Sequence, residues 1–272
     1  MEKWAGIYDA LSALQAEKLG YDGLWLSSLG LSVGRLGMPD AGFLEPKVVV
    51  AAVREIARVA HTPLIVDIEN GYGLDDVGLA EVAAEMFAAG SVALCIEDTV
   101  GVKRNSLWSG FCRDLRDVDE MCERLSGLVT IAHRRGGSII ARTEALVEGR
   151  SIDETCARVR RYAAAGCDGV VVHFRDDVGR AMATARRTAD VTRLVVIPTA
   201  APTASFSEFE QAGFRVYVAA NIALRAAALA MQKALGSVLT QQSQAHAIEC
   251  GVTLAELDTL VRAAELVEDW TR

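Results

Sequence analysis

Acidic and basic residues stand at the ends of short apolar runs along this chain. Asp67 and Glu69 close PLIVDIE, Glu97 and Asp98 close SVALCIED, Arg142 and Glu144 lie in SIIARTEAL, and His173 closes GVVVHF. Trp25, Ser27 and Ser28 end another run that leads to Asp40, while Thr199 and Asn221 end two more. Asp67, Glu69 and Glu97 are hard oxygen donors gathered without His or Cys. Such a set suits Mg2+, which keeps several waters and takes one or two direct carboxylates plus substrate oxygens. Arg142, Lys103 and His173 could face them. A divalent cation beside an Arg and a mobile Lys describes a site for a small polyanion, such as a phosphorylated or phosphonylated carboxylate. A bland role competes for each residue alone: a carboxylate can cap a helix, and a single His is more often a satisfied core residue than a ligand. A whole series of them at run ends is harder to explain by accident, because burying several uncompensated carboxylates is expensive.

Those residues need a scaffold that brings many strand ends to one rim. Eight short apolar runs recur (AGIYDA, GLWLSS, PLIVDIE, SVALCIED, SIIARTEAL, GVVVHF, RLVVIPT, FRVYVAA), with helical patterns rich in Ala, Leu, Glu and Arg between them, such as LEPKVVVAAVREIARVA, LDDVGLAEVAAEMFAAG and SIDETCARVRRYAAAG. Three helical segments end on Ala-Gly before the next strand, at Gly90, Gly166 and Gly213, where a helix C-terminus favours glycine. Eight strand-then-helix units predict a closed parallel (β/α)8 TIM barrel, an α/β fold that needs about 250 residues and carries its chemistry at the C-terminal ends of the strands. A doubly wound sheet is the competing architecture, but AGIYDALSA lacks its glycine-rich phosphate turn. The barrel is expected over 1–236 as one catalytic domain, and 237–272 as a C-terminal helical extension of that domain.

Composition narrows the function classes. The chain has 272 residues, of which 51% are hydrophobic, enough for a sizeable core, and its net charge of −8 disfavours nucleic acid or an anionic membrane as partner. No signal-peptide pattern precedes the first run, and the apolar stretches read as too short or interrupted to span a bilayer, which points to a cytoplasmic protein. Six cysteines, Cys95, Cys112, Cys122, Cys156, Cys167 and Cys250, show neither a CxxC pair nor metal-ligand spacing, as expected of reduced thiols.

From GIYDALSALQAEKLGYDGLWLSS through LGMPD, DIENGYG, EDTVGVKRNS, ARTEAL, VVVHF, VIPT and ANIALRAA, the chain resembles the isocitrate lyase / phosphoenolpyruvate mutase superfamily. Carbon–carbon lyases of that superfamily carry Lys-Lys-Cys-Gly-His or Lys-Arg-Cys-Gly-His on a mobile loop after the fourth strand, and the Cys is the acid or base. Here the positions read Lys103, Arg104, Asn105, Ser106, Leu107. An Asn exchanges no proton at neutral pH. The resemblance is therefore to phosphoenolpyruvate mutases, whose loop Asn and Lys help hold the migrating phosphoryl group; phosphonopyruvate hydrolases typically have Thr at the Asn105 position. It implies interconversion of phosphoenolpyruvate and phosphonopyruvate, the carbon–phosphorus step of phosphonate biosynthesis.

In that picture the carboxylate and enol oxygen meet Mg2+ and backbone amides near Ser27, Ser28 and Leu29. The phosphoryl group lies among Arg142, His173, Lys103 and Asn105, and Asp40 orients it. Trp25, Ser106, Glu144 and Thr199 complete the binding residues, and Asp67, Glu69 and Glu97 form the metal network. The alternatives are phosphonopyruvate hydrolysis, cleavage or decarboxylation of a 2-oxo or 2-hydroxy acid, and a catalytically weak barrel that binds such an acid. Departures from the family pattern are Glu69, where an Asp is usual, and Phe174, where Ser is common. The resemblance also implies exchange of the terminal helices between subunits in a homotetramer built as a dimer of dimers. In the tail, Leu257, Leu260, Val261, Ala264 and Val267 are spaced for one helix face.

Overall fold

The computed structural model describes residues 1–106, 108, 110, 112–249 and 251–262. Its elements alternate as the sequence pattern predicts. They are β1 (Glu2–Ile7), α1 (Ala10–Lys18), β2 (Gly23–Leu26), α2 (Ser28–Leu36), α3 (Pro46–Ala57), β3 (Leu64–Asp67), α4 (Asp76–Ala89), β4 (Ala93–Glu97), α5 (Val118–His133) and β5 (Ser138–Thr143). The second half continues with α6 (Ile152–Ala164), β6 (Gly169–Val172), α7 (Val178–Thr188), β7 (Arg193–Val196), α8 (Phe206–Ala212), β8 (Phe214–Ala219), α9 (Ile222–Gln241), α10 (Ala245–Glu249) and α11 (Leu254–Leu260). Every strand is parallel to the next, and β8 pairs with β1, so the sheet closes into the expected (β/α)8 barrel.

Local chemistry sets the ends. The side chains of Asp9, Ser27, Asp75, Asp117, Ser151, Asp177 and Ser205 each accept a backbone N–H of the first turn that follows. Gly90 and Gly213 cap their helices in the left-handed conformation, and Gly166 adopts it one residue beyond the Ala165 cap.

Side-chain alternation builds two cores. Trp4, Trp25, Ile65, Cys95, Ile140, Val171, Val195 and Val218 pack together inside the barrel. Their strand neighbours, among them Leu24, Leu26, Val66, Leu94, Ile139 and Val170, pack outward with the helices. The inner layer is crowded: Trp4 and Trp25 stack with centroids 6.3 Å apart. A Cβ on Gly6 would lie 1.9 Å from the Ala220 carbonyl oxygen, so that inner position admits only glycine.

Two expectations about the C-terminal part need correction. The boundary at Gly236 falls inside α9, which runs unbroken to a left-handed cap at Gln242. That helix is also long and apolar enough, by length and composition, to cross a bilayer, although the apolar stretches read as too short or interrupted for that. Its Arg225 and Lys233 interrupt the apolar pattern without ending the helix. None of its residues is buried, and Ile222, Leu229, Met231, Leu235 and Leu239 face outward. The tail then returns to its own barrel, where Leu260 is buried and Arg262 donates to the Val59 carbonyl at 3.0 Å. Ala264 and Val267 lie outside the described residues, as do Leu107 and Cys250. The five described cysteines are free thiols.

Candidate active site

The period of two along each strand carries the inner layer into the site. Two residues beyond Trp25, Ile65, Cys95, Ile140, Val171, Val195 and Val218 come Ser27, Asp67, Glu97, Arg142, His173, Ile197 and Ala220. Seven strands thus deliver one residue each to a ring at their C-terminal ends. Above it lies a cavity of about 60 Å³ bounded by Trp25, Ser27, Ser28, Leu29, Asp40, Asp67, Lys103, Asn105, Ser106, Arg142, His173, Ile197, Thr199, Ala220 and Asn221. Among the residues expected from sequence, Trp25, Ser27, Ser28, Leu29, Asp40, Asp67, Lys103, Asn105, Ser106, Arg142, His173 and Thr199 all reach it. Ile197 and Ala220 were not anticipated, since apolar residues inside apolar runs give no separate signal. Asn221, which ends its run, donates to Thr199 Oγ1 at 3.3 Å.

The cationic wall is held by acids behind it. The Arg142 guanidinium donates through Nε to Glu144 and through Nη2 to Ser106 Oγ at 3.0 Å, with Nη2 also 3.0 Å from His173 Nδ1. His173 Nδ1 lies 2.8 Å from Glu144 Oε1, an arrangement that suits an Nδ1–H donating to the carboxylate. Burial and the Arg142 charge lower the His173 pKa, which favours the neutral ring. Glu144 was expected to touch substrate, but it is fully buried and stands behind Arg142 and His173. Burial pushes its carboxyl up, yet Arg142 and His173 pull it well below the usual range. Arg113 was missed by the sequence reading. It donates to Glu144 Oε2 at 2.6 Å and to Ser106 Oγ at 3.0 Å, and it sits in a loop without periodicity to mark it.

The loop after β4 folds over the mouth. Lys103 Nζ donates to Glu97 Oε2 at 2.8 Å and Asn105 Nδ2 to Asp40 Oδ2 at 2.8 Å, while Thr99 Oγ1 donates to Glu97 Oε1 at 2.7 Å. Burial lowers the Lys103 pKa, but Glu97 and Asp40 outweigh it and raise the value overall, so its charge is secure. Asp98, the neighbour of Glu97, faces outward and accepts from Tyr162 Oη at 2.7 Å and Arg158 Nη1 at 3.3 Å, a structural role. Phe174 likewise packs in the outer core.

The acids expected to bind metal do not form one ligand set. Among the described residues no three His, Cys, Asp or Glu side chains stand together as a metal cluster. Asp67 alone of the three lines the cavity; Glu97 is engaged by Lys103 and Thr99; Glu69 borders a neighbouring cavity of about 470 Å³ with Tyr72 and Arg124. Glu69 adopts a left-handed backbone, φ +52°, and its carbonyl accepts the Glu97 N–H at 2.8 Å.

A hard cation nevertheless fits this acid side. Asp40 Oδ1 and Glu69 Oε1 are buried without a hydrogen-bond partner. Burial raises the Asp67 pKa and raises that of Glu69 to about 8, with Asp40, Asp67 and Glu97 adding to the second. Carboxylate oxygens left short of positive charge, one of them lining the cavity, match an ion that takes few direct protein ligands and keeps its waters.

A family model described as phosphoenolpyruvate phosphomutase matches residues 4–239. The chain is 29% identical to the phosphonopyruvate hydrolase of Variovorax sp. (strain Pal2), covering 85% of this chain and 80% of that protein. It is 30% identical to the 2-methylisocitrate lyase of Salmonella typhimurium (strain LT2), covering 93% and 85%. The crystal structure of a phosphoenolpyruvate phosphomutase from Streptomyces platensis subsp. rosaceus superposes with a TM-score of 0.95 at 30% identity, covering 100% of this chain and 94% of that one. A phosphonopyruvate hydrolase solved with oxalate and Mg++ shares the fold, with a TM-score of 0.91 at 24% identity over 100% and 94% of the two chains.

Proposed function

We propose, on the premise that this chain belongs to the phosphoenolpyruvate mutase/isocitrate lyase superfamily, that it interconverts phosphoenolpyruvate and phosphonopyruvate. The observation that carries this reading is the closed loop, which presents Lys103, Asn105 and Ser106 to the cavity where a lyase would present a thiol. Cys112 is the one described cysteine on that loop. It lines a different cavity, with Glu148, Phe174 and Arg175. Cys95 sits inside the barrel with its thiol pushed well up by burial, which leaves it unfit as an acid–base group.

The substrate carboxylate would meet the first turn of α2, where the Ser28 and Leu29 amides begin a helix and favour an anion. Mg2+ would be held by Asp67 with the unpaired Asp40 oxygen beside it in the cavity, Glu69 adding negative charge from the neighbouring cavity, and would neutralise charge on the carboxylate and enol oxygen. Phosphoryl transfer through a loose transition state asks for positioning and charge more than for covalent chemistry. Arg142 and Lys103 supply fixed positive charge to the phosphoryl oxygens. Asn105 donates a hydrogen bond and, through its amide, holds Asp40 in place. His173 keeps its proton on Nδ1 toward Glu144 and offers Nε2 to the cavity side. The small closed space excludes water, which is what separates migration of the group from its hydrolysis.

The decisive experiment is phosphorus NMR of the purified protein with Mg2+ and phosphonopyruvate. Phosphoenolpyruvate as product supports the mutase reading, whereas inorganic phosphate with pyruvate replaces it by hydrolysis. For assembly, the exposed apolar face of α9 supports a helix-exchanging homo-oligomer, built as a dimer of dimers.

A further inference from the structure

We propose that the N-terminal end of the barrel holds a second ligand site, a cavity of about 340 Å³ that takes a small aryl-alkyl amine, a flat apolar body carrying one ammonium group. The site is independent of the mutase reaction and lies at the opposite end of the strands.

The cavity follows from the same period of two that builds the catalytic ring, run in the other direction. Two residues before Ile65, Cys95, Ile140 and Val171 come Pro63, Ala93, Ser138 and Gly169, which line the cavity and have no side chain long enough to close the barrel beneath that layer. Trp4, Ile65, Ile140 and Val195 are left as its apolar ceiling. The Trp4 indole lies across Gly23, where a Cβ would come within 2.6 Å of the ring, so its orientation depends on the missing side chain. Trp4 also stacks on Trp25, a wall residue of the catalytic cavity, and these two indoles stand between the sites. The volume falls within the range of small-ligand pockets, about 300–1,000 Å³.

Charge selects the ligand. Among the described residues lining the cavity, Glu2, Asp22 and Asp168 are acidic and Arg193 is the one Lys or Arg. Arg193 pairs with Glu2, whose other oxygen accepts Trp4 Nε1 at 3.1 Å. Asp22 Oδ2 accepts the Lys3 N–H at 2.8 Å and Asp168 Oδ2 the Ile139 N–H at 2.8 Å, with His133 Nε2 3.2 Å from the latter. Among the described residues neither carboxylate has a Lys or Arg ion-pair partner. Two acids short of counter-charge beside an apolar chamber match a ligand that buries hydrocarbon and hydrogen-bonds through an ammonium group. The occupants that the chain itself could offer have the wrong sign. A second copy of this barrel end would set acid against acid, and the ten residues after Arg262 carry Glu265, Glu268 and Asp269 against a single Arg272.

Titration of the whole protein with 2-phenylethylamine, 2-phenylethanol and 3-phenylpropionate, read by calorimetry and by ligand-observed NMR, tests this. The amine is expected to bind at least tenfold more tightly than the alcohol, and the acid most weakly. Asp22→Asn with Asp168→Asn keeps acceptors for the Lys3 and Ile139 N–H groups but removes both charges, and is expected to erase the preference for the amine. Ser138→Phe fills the chamber and is expected to weaken amine binding at least tenfold, whereas Asp67→Ala, at the other end of the barrel, leaves it unchanged. No amine binding, equal binding of amine and alcohol, or a preference that survives the paired Asp→Asn changes overturns the proposal. So does an amine affinity that falls in Asp67→Ala, which places the amine in the catalytic cavity. If the paired variant does not fold, Ser138→Phe decides, and wild-type amine affinity there overturns the site. If phosphorus NMR contradicts mutase chemistry while the amine binds as expected, the site stands and only the reaction is reassigned.

Discussion

Replacing Asn105 by Ala removes a cavity-lining amide from the loop after β4 without changing any charge. Its Nδ2 donates to Asp40 Oδ2 at 2.8 Å, and Asp40 Oδ1 already lacks a partner, so the variant leaves a buried carboxylate without either hydrogen bond. An unsatisfied buried acceptor costs about 1–3 kcal/mol, the lower end applying where a loop can shift to admit water, so the melting temperature should move little. Turnover should suffer more. Removing one transition-state hydrogen-bond donor costs about 2–4 kcal/mol, or roughly thirty- to a thousandfold in rate. The assay is phosphorus NMR of phosphonopyruvate consumption with Mg2+, reporting both rate and the ratio of phosphoenolpyruvate to phosphate. Asn105→Thr, which imitates the loop that the hydrolase resemblance implies, should shift that ratio toward phosphate and pyruvate. If Asn105→Ala keeps the wild-type rate and product ratio, Asn105 merely braces Asp40 in a turn, and the choice of mutase over its relatives loses its main support.

Four further outcomes are expected. Asp67→Ala should abolish Mg2+-dependent turnover with an unchanged circular dichroism spectrum, because Asp67 stands at the rim; full activity in that variant or in excess chelator contradicts the metal assignment. Tyr162→Phe removes the Tyr162 donor to the buried Asp98 carboxylate and should cost about 1.5–3 kcal/mol of stability in denaturant melts, without changing the product ratio. Glu17 accepts the His61 and Thr62 N–H groups, which overcome the upward push of burial and lower its pKa from the ordinary 4.5. Its contribution is thus present above that value and lost as pH falls through the depressed one, so the difference in melting temperature between wild type and Glu17→Gln should be seen at pH 7 and vanish toward pH 3. Light scattering should give a multiple of the 29.1 kDa chain mass, reduced by Leu235→Asp on the exposed face of α9, and a monomeric wild type refutes the assembly.

The sequence made the barrel legible because eight short apolar runs alternated with helical patterns, three of which ended on Ala-Gly before the next strand. Alternation along each strand made most of the cavity wall legible: once Trp25, Ile65 and Val171 are inner residues, Ser27, Asp67 and His173 must follow them inward. What stayed hidden had no period. Arg113 lies in a loop whose partners, Glu144 and Glu148, are distant in sequence and meet it only through the fold. Glu69 lies two residues past the end of β3 in a left-handed conformation, so the alternation of the strand does not say where its side chain goes. Glu144 was expected to touch substrate from the family resemblance, whereas it binds Arg142 and His173 and does not line the cavity.

The stacked indoles of the inner layer make the pocket a ruler as well as a vessel. Trp25 is 1% exposed, forms part of the cavity wall and rests on Trp4 at 6.3 Å, so the depth available to a ligand is set by a rigid double plate of aromatic rings. An acid with a longer carbon chain cannot be admitted downward without removing an indole and leaving a void in the barrel, at a cost of several kcal/mol. Lateral room is a different matter, because Ile197 and Thr199 border the cavity beyond β7, across the eight-stranded barrel from Asp67 at the end of β3. Trimming Ile197 to Ala is therefore the route by which this scaffold could be taught a bulkier acid while its cations and carboxylates keep their places.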